Sequence, residues 1–197
     1  MQNIAIMGGT FDPIHYGHLT IAQCAYHHFD LDKVIFIPSG MPPHKADRKV
    51  ASAVDRYNMT RLAVENNPHF TVSSYEIDKA GFSYTVDTIK YFKGIYYDSK
   101  LYFIVGSDAL LEMHKWKSPD EIFEMCEVIS ATRPGYELRK SDLGTLDCFL
   151  NKINLFEVPA LDISSTDIRQ RIIDKRPIRY LLPDNVIDYI NVNNLYL

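Results

Sequence analysis

Two histidines three residues apart, His15 and His18, close a glycine-rich string, Gly8-Gly9-Thr10-Phe11-Asp12-Pro13-Ile14-His15-Tyr16-Gly17-His18. Imidazoles at that spacing share one side of a helical turn, and each offers a ring nitrogen as donor. Adjacent glycines let the backbone come close to a ligand. Such a set suits an anionic, phosphate-bearing transition state. A metal pair is the rival reading of His-x-x-His. No Cys or acidic partner stands nearby at ligand spacing, so no protein-held metal is expected.

The string must be held by its neighbours. Ile4–Met7 reads as a buried strand, and Leu19, Ala22, Ala25, Tyr26 and Phe29 mark one face of a helix that follows. Strand, turn and helix in that order place free backbone N–H groups and a helix N-terminus at the carboxyl end of a strand, a ready phosphate site. Later segments repeat the arrangement. Val34–Ile37 is a second strand, and the loop after it, Pro42-Pro43-His44-Lys45, brings Lys45 within reach of a phosphate. Ser52-x-x-Asp55 opens a helix running to about Asn66, and Phe70–Ser73 is a third strand. Ser83-Tyr84-Thr85 leads a helix striped by Val86, Ile89, Phe92 and Tyr96, with Ser83 or Thr85 a simple cap on ordinary grounds.

Leu101–Val105 is the strongest strand, and Gly106-Ser107-Asp108 follows it. Asp108 suits a ribose hydroxyl there, or a helix cap. Trp116 lies between Lys115 and Lys117, so a partly exposed ring could stack on a flat heterocycle. Val128–Thr132 is a fifth strand, after which the planar fork of Arg133 suits a phosphate clamp. Glu137 to Asn151 reads as helix and loop, and Ile153–Val158 as a sixth strand. Ser164-x-x-Asp167 is a second capping box, with Ile168, Ile172 and Ile173 expected on the buried side. Its hydroxyls on Ser164, Ser165 and Thr166, with Arg169 one turn in, would make a second phosphate grip. A last helix from Pro183 to about Asn193 points Val186, Tyr189 and Ile190 inward.

The expected fold is α/β: a Rossmann-like, doubly wound parallel sheet of five or six strands with the site at its carboxyl edge. No linker divides the 197 residues, so a single domain is expected, with residues from about 160 to 197 as a small helical C-terminal extension. The net charge of −4 argues against a broad nucleic-acid surface but leaves room for a local basic pocket. Three widely spaced cysteines form no disulfide or zinc pattern and fit a reducing, cytoplasmic setting. The first strand starts at about Asn3, which leaves no room for a secretory leader, and no apolar run is long enough to cross a membrane. Whether copies associate as homo-oligomers is left open.

The histidine string resembles the HxGH signature of the nucleotidyltransferase superfamily. Five segments together resemble bacterial nicotinate-nucleotide adenylyltransferases over nearly the whole chain. They are the His15/His18 turn, the Pro42–Lys45 loop, Ser83-Tyr84-Thr85-Val86-Asp87-Thr88, the run from Gly106 to Trp116, and Ile163-Ser164-Ser165-Thr166 with Arg169. The resemblance implies adenylyl transfer from ATP to nicotinate mononucleotide, giving deamido-NAD and pyrophosphate. On this reading His15, His18, Lys45 and Arg169 are catalytic. ATP would lie on Gly8, Gly9, Thr10, Phe11, His15, His18, Gly106, Asp108, Ser164, Ser165, Thr166 and Arg169. The mononucleotide would lie on Lys45, Thr85, Asp108, Trp116, Lys117 and Arg133. Mg²⁺ would ride on the ATP phosphates. Because the attacking phosphate is already ionised, the reaction needs alignment and charge neutralisation, with no side-chain base. His15, His18, Lys45, Arg133 and Arg169 are expected to supply donors and positive charge. Thr85, backbone amides around Trp116 and Lys117, and the Lys117 cation are expected to favour a substrate carboxylate. Family members often carry a second aromatic after the tryptophan; this chain has Lys117. The alternatives are a phosphopantetheine adenylyltransferase, which shares the turn and the Ile-Ser-Ser type of helix start, and a non-catalytic nucleotide sensor.

Overall fold

Along the first strand, side chains alternate between two cores. Ala5 and Met7 pack with one, and Ile4 and Ile6 with the other. A strand buried on both sides needs helices on both, which the period of two in its side chains makes unavoidable. The computed structural model describes residues 1–41, 50–132, 144–159 and 161–197. The strands are β1 (Asn3–Gly9), β2 (Lys33–Pro38), β3 (Phe70–Val72), β4 (Lys100–Gly106), β5 (Glu127–Thr132) and β6 (Ile153–Glu157). The helices are α1 (Tyr16–His28), α2 (Ala53–Val64), α3 (Tyr75–Asp78), α4 (Thr85–Ile95), α5 (Ser107–Glu112), α6 (Pro119–Met125), α7 (Ser165–Ile173) and α8 (Asp184–Val192). Two 3-10 segments, Met113–Lys115 and Gly144–Lys152, complete the described elements.

The six strands form one parallel sheet in the order β3-β2-β1-β4-β5-β6. The direction of winding reverses between β1 and β4, and in open parallel sheets that reversal leaves a crevice beyond the strands' carboxyl ends. Met7 pairs with Ile104, so the Gly8-Gly9 turn and Gly106 emerge side by side at that crevice. One face is covered by α1, α2, α7 and α8 through Ala22, Ala25, Met59, Ile168, Val186 and Ile190. The other is covered by α4, α5 and α6 through Val86, Ile89, Phe92, Leu110, Ile122 and Phe123. The expected Rossmann-like sheet is therefore present, with six strands. No described helix is long and apolar enough to cross a membrane.

Three local expectations change. Ile173 is exposed, whereas Ile168 is fully buried and Ile172 partly so. Five residues from Ile168, Ile173 is rotated well off the buried stripe, while Ile172 at four residues stays on it. Neither Ser83 nor Thr85 caps α4: its N-cap is Tyr84, which makes no side-chain cap bond. Asp108 is not a cap either, since Gly106 holds that position for α5. Both Ser-x-x-Asp boxes form as expected. Ser52 accepts from the Asp55 N–H at 3.0 Å and Ser164 from the Asp167 N–H at 3.1 Å.

Candidate active site

A cavity of about 1090 Å³ opens at the crevice between β1 and β4. The starts of α1, α4, α5 and α7 all border it through His15, Tyr84–Thr85, Gly106–Ser107 and Ser164–Ser165. Each helix start carries partial positive charge and unpaired N–H groups. A chain of net charge −4 thus gathers partial positive charge from backbone at this cavity.

The two imidazoles stack, with ring centroids 3.7 Å apart. The His15 N–H donates to Nδ1 of His18 at 3.3 Å. That bond leaves Nε2 of a neutral His18 ring to carry the proton, so the ring presents a donor. The edge-to-face contact of His18 with Phe11 at 5.1 Å fixes its plane. His15 lines the cavity but is only 5% exposed, and burial lowers its pKa to about 4. It is neutral at neutral pH. The positive charge expected from His15 is absent, and its contribution is a dipole. Its Nδ1 is buried with no hydrogen-bond partner among the described residues.

Gly17 is dictated by this packing. A Cβ there would lie 3.0 Å from His15 Nδ1, so the His15 ring would have to give way, while the Ile163 carbonyl at 3.5 Å is at ordinary contact. Gly9 likewise makes room for the Phe11 ring, 2.7 Å from where its Cβ would be. Phe11 itself is 2% exposed and packs on Phe36. The structure places it beneath the cavity floor, in the core, where burial of an aromatic ring contributes most.

Arg169 links the two phosphate segments. It donates to the Asp12 carbonyl at 2.7 Å and to the Thr166 hydroxyl at 3.3 Å. Ser165 donates to the Pro13 carbonyl at 2.9 Å. The grip expected from Ser164, Ser165, Thr166 and Arg169 therefore lies against the glycine turn, and all four border the same cavity as Gly8, Gly9, Thr10 and His18.

The cavity is also lined by Thr85, Gly106, Asp108, Trp116 and Lys117, with Gly106 beside the glycine turn. Thr85 opens α4. Trp116 is half-buried, edge-on to Phe103 at 6.2 Å. Lys117 lies 4.4 Å from the centre of the Tyr84 ring and 3.7 Å from Asp87. One expected donor is already used, because the Trp116 N–H is bonded to the Met113 carbonyl at 3.0 Å. Lys45 and Arg133 lie outside the described residues.

Several residues at the site were not singled out from sequence. Arg56, 1% exposed, donates to the carbonyls of Thr10 at 2.9 Å, Gly40 at 3.1 Å and Ala51 at 3.1 Å. It ties the glycine turn to the start of the loop after β2. The signal available was its place on α2, one turn before the buried Met59 and Thr60, an apolar-face position taken by a cation. Asp12 is buried, accepting from the Ala51 N–H at 3.1 Å and the Tyr196 hydroxyl at 2.8 Å. Glu76 is buried at the cavity wall, its pKa raised by desolvation and partly restored by the Thr88 hydroxyl at 2.6 Å. No local pattern marks Glu76 or Tyr196.

The cytidylyltransferase-like family model matches residues 6–171. Over 197 aligned residues the chain is 53% identical to a protein of Thermoanaerobacter sp. (strain X514) named probable nicotinate-nucleotide adenylyltransferase, covering 98% of this chain and 93% of that one. The chain belongs to the nicotinate-nucleotide adenylyltransferases. A family member of the same name from Moorella thermoacetica is 52% identical, with 98% and 91% covered. Among solved structures, Plasmodium falciparum nicotinic acid mononucleotide adenylyltransferase complexed with NaAD superposes with a TM-score of 0.82 at 22% identity, covering 100% of this chain and 98% of that one. At that identity the likeness speaks for the fold. The adenylyltransferase family name accords with a cavity whose phosphate end is built from the His15/His18 turn and the start of α7.

Proposed function

We propose that the cavity binds ATP and nicotinate mononucleotide and joins them into deamido-NAD with release of pyrophosphate, a step of NAD biosynthesis. The observation that carries this reading is that Ser165, at the start of α7, and Arg169, one turn in, donate to the Pro13 and Asp12 carbonyls of the turn that leads into α1. Two N-termini and one guanidinium converge where a triphosphate would need neutralisation.

A phosphate oxygen of the mononucleotide attacks the α-phosphorus of ATP, and the bond to the departing pyrophosphate breaks. His18 donates from Nε2, His15 adds a neutral dipole, and Arg169 with the α7 start holds the leaving group. Gly8, Gly9 and Thr10 give the triphosphate backbone contact, and Gly106 and Asp108 take the ribose. Thr85, Trp116 and Lys117 hold the pyridine and its carboxylate. Lys45 and Arg133 add charge to the phosphates.

Mg²⁺ fits as a passenger on the triphosphate, where it would supply further charge neutralisation. The donor set agrees with that role: the Asp12 carboxylate is engaged by Ala51 and Tyr196, and imidazole and guanidinium dominate the phosphate end. Residues 1–197 are read as one nucleotidyltransferase domain, supported by Val186 and Ile190 of α8 packing in the same core as Ala5 and Met7 of β1. The working place is the cytoplasm, where ATP is plentiful and Cys24, Cys126 and Cys148 stay as thiols.

The test is to supply ATP with nicotinate mononucleotide, nicotinamide mononucleotide or phosphopantetheine and separate the products. Deamido-NAD should form fastest, by on the order of 10²-fold over the amide product, because the amide turns an NH₂ toward donors that its carboxylate counterpart would satisfy. Dephospho-coenzyme A as the main product would replace this reading with the pantetheine one. Binding of ATP with no product from any acceptor would point to a sensor.

A further inference from the structure

The buried face of the glycine turn carries a polar cluster that the proposed chemistry does not use. Asp12 is 2% exposed, and one carboxylate oxygen is held by the Ala51 N–H and the Tyr196 hydroxyl. The other oxygen, Oδ2, has no hydrogen-bond partner among the described residues and makes a long ion pair, 3.6 Å, with the guanidinium of Arg169. Arg169 meanwhile bonds the Asp12 carbonyl and Thr166.

Tyr196 is held in place from outside the site. It has a φ of +66°, a conformation bulky residues adopt only when their surroundings impose it. The Leu195 N–H is bonded to the Ile190 carbonyl at 3.0 Å, and Tyr189 of α8 is bonded to Asp55 and Asn58 of α2. The segment after α8 is thus anchored on α2, and its phenol reaches Asp12.

A buried carboxylate seeks every donor available. If the phenol hydroxyl is removed, Asp12 keeps the Ala51 N–H, and among the described residues the nearest substitute donor is Arg169. We infer that Tyr196 is a positioning residue for nucleotide binding: by holding the Asp12 carboxylate, it keeps the pair with Arg169 long, at 3.6 Å, so that the guanidinium is not drawn fully onto Asp12 and stays available to the triphosphate. The inference rests on the reading of the cavity as the ATP site.

A double-mutant cycle tests it, with affinity for a non-hydrolysable ATP analogue measured by calorimetry. Tyr196→Phe should weaken the analogue about tenfold in the wild-type background and less than twofold in Arg169→Ala, the coupling expected of residues in one network. In Asp12→Asn the tyrosine change should again be nearly silent, because a neutral amide does not draw Arg169 in. KM for the mononucleotide should stay level throughout. Equal weakening in all backgrounds, or a lower melting temperature with unchanged affinity, would make Tyr196 a structural residue and overturn the inference. Wild-type protein that fails to bind the analogue removes both the ATP site and the inference. Wild-type protein that binds it and shows the cycle, yet forms no dinucleotide, removes the proposed reaction alone.

Discussion

The two ends of the cavity are built differently. At the phosphate end, His15, Asp12, Phe11 and Arg56 are each 5% exposed or less, and each is fixed by packing or by bonds to backbone. At the other end, Asp108 and Lys117 are exposed and Trp116 is half-buried, and Lys117 is held only by a ring face and an ion pair. Charge on a flexible side chain in water is screened, whereas dipoles locked in a dry wall keep their full effect. The phosphate end is therefore suited to stabilising a transition state, and the other end to choosing a substrate. Damage at the first should cost the fold or turnover; damage at the second should cost selectivity.

The largest expected effect is at Arg56. Arg56→Ala removes the guanidinium that donates to the carbonyls of Thr10, Gly40 and Ala51. Stranding such groups should cost about 3–5 kcal/mol, read as a fall in the urea midpoint. A loss under about 1 kcal/mol would mean that water replaces the guanidinium, and the phosphate end would not be the dry wall described.

That same residue marks where sequence reading stops. The six strands were legible because runs such as Val34–Ile37 and Leu101–Val105 are continuous and apolar, the pattern of a sheet covered on both faces. The segments that meet at the cavity were legible because they are local: a turn, a helix start and a capping box each declare themselves within a few residues. Arg56, Glu76 and Tyr196 were not legible. Their roles come from contacts 46, 12 and 184 residues away, with Thr10, Thr88 and Asp12 respectively. The neutral state of His15 was hidden for the same reason, since it follows from burial by the whole fold.

Next in size is the ring donor. His18→Ala should lower kcat by about 10²-fold, or about 2.7 kcal/mol, with the affinity for ATP changed far less. Near-normal turnover in a folded variant would move transition-state stabilisation elsewhere, and the contrast between the two ends would lose its kinetic half. A loss expressed wholly in ATP affinity would make His18 a binding residue.

The smallest expected effect is at Lys117, and it tests the other half of the contrast. Its ammonium is 3.7 Å from Asp87, and its side chain is 50% exposed. Asp87 has a nearer partner in Lys79 at 2.8 Å, so removing Lys117 leaves no carboxylate stranded. Lys117→Met should leave the melting temperature unchanged. The lost attraction for a substrate carboxylate is that of an exposed cation, at most about 1 kcal/mol, so the preference for the acid over the amide mononucleotide should fall about two- to fivefold. Salt provides a second check with the same cause: raising ionic strength should erode the wild-type preference and leave that of Lys117→Met nearly flat. The His18 contribution to kcat should depend less on salt, because a neutral ring donor acts through a dipole at contact distance, which salt screens little. A fall in preference much beyond tenfold, insensitive to salt, would mean that substrate closes this end against water and that the two ends work by the same physics.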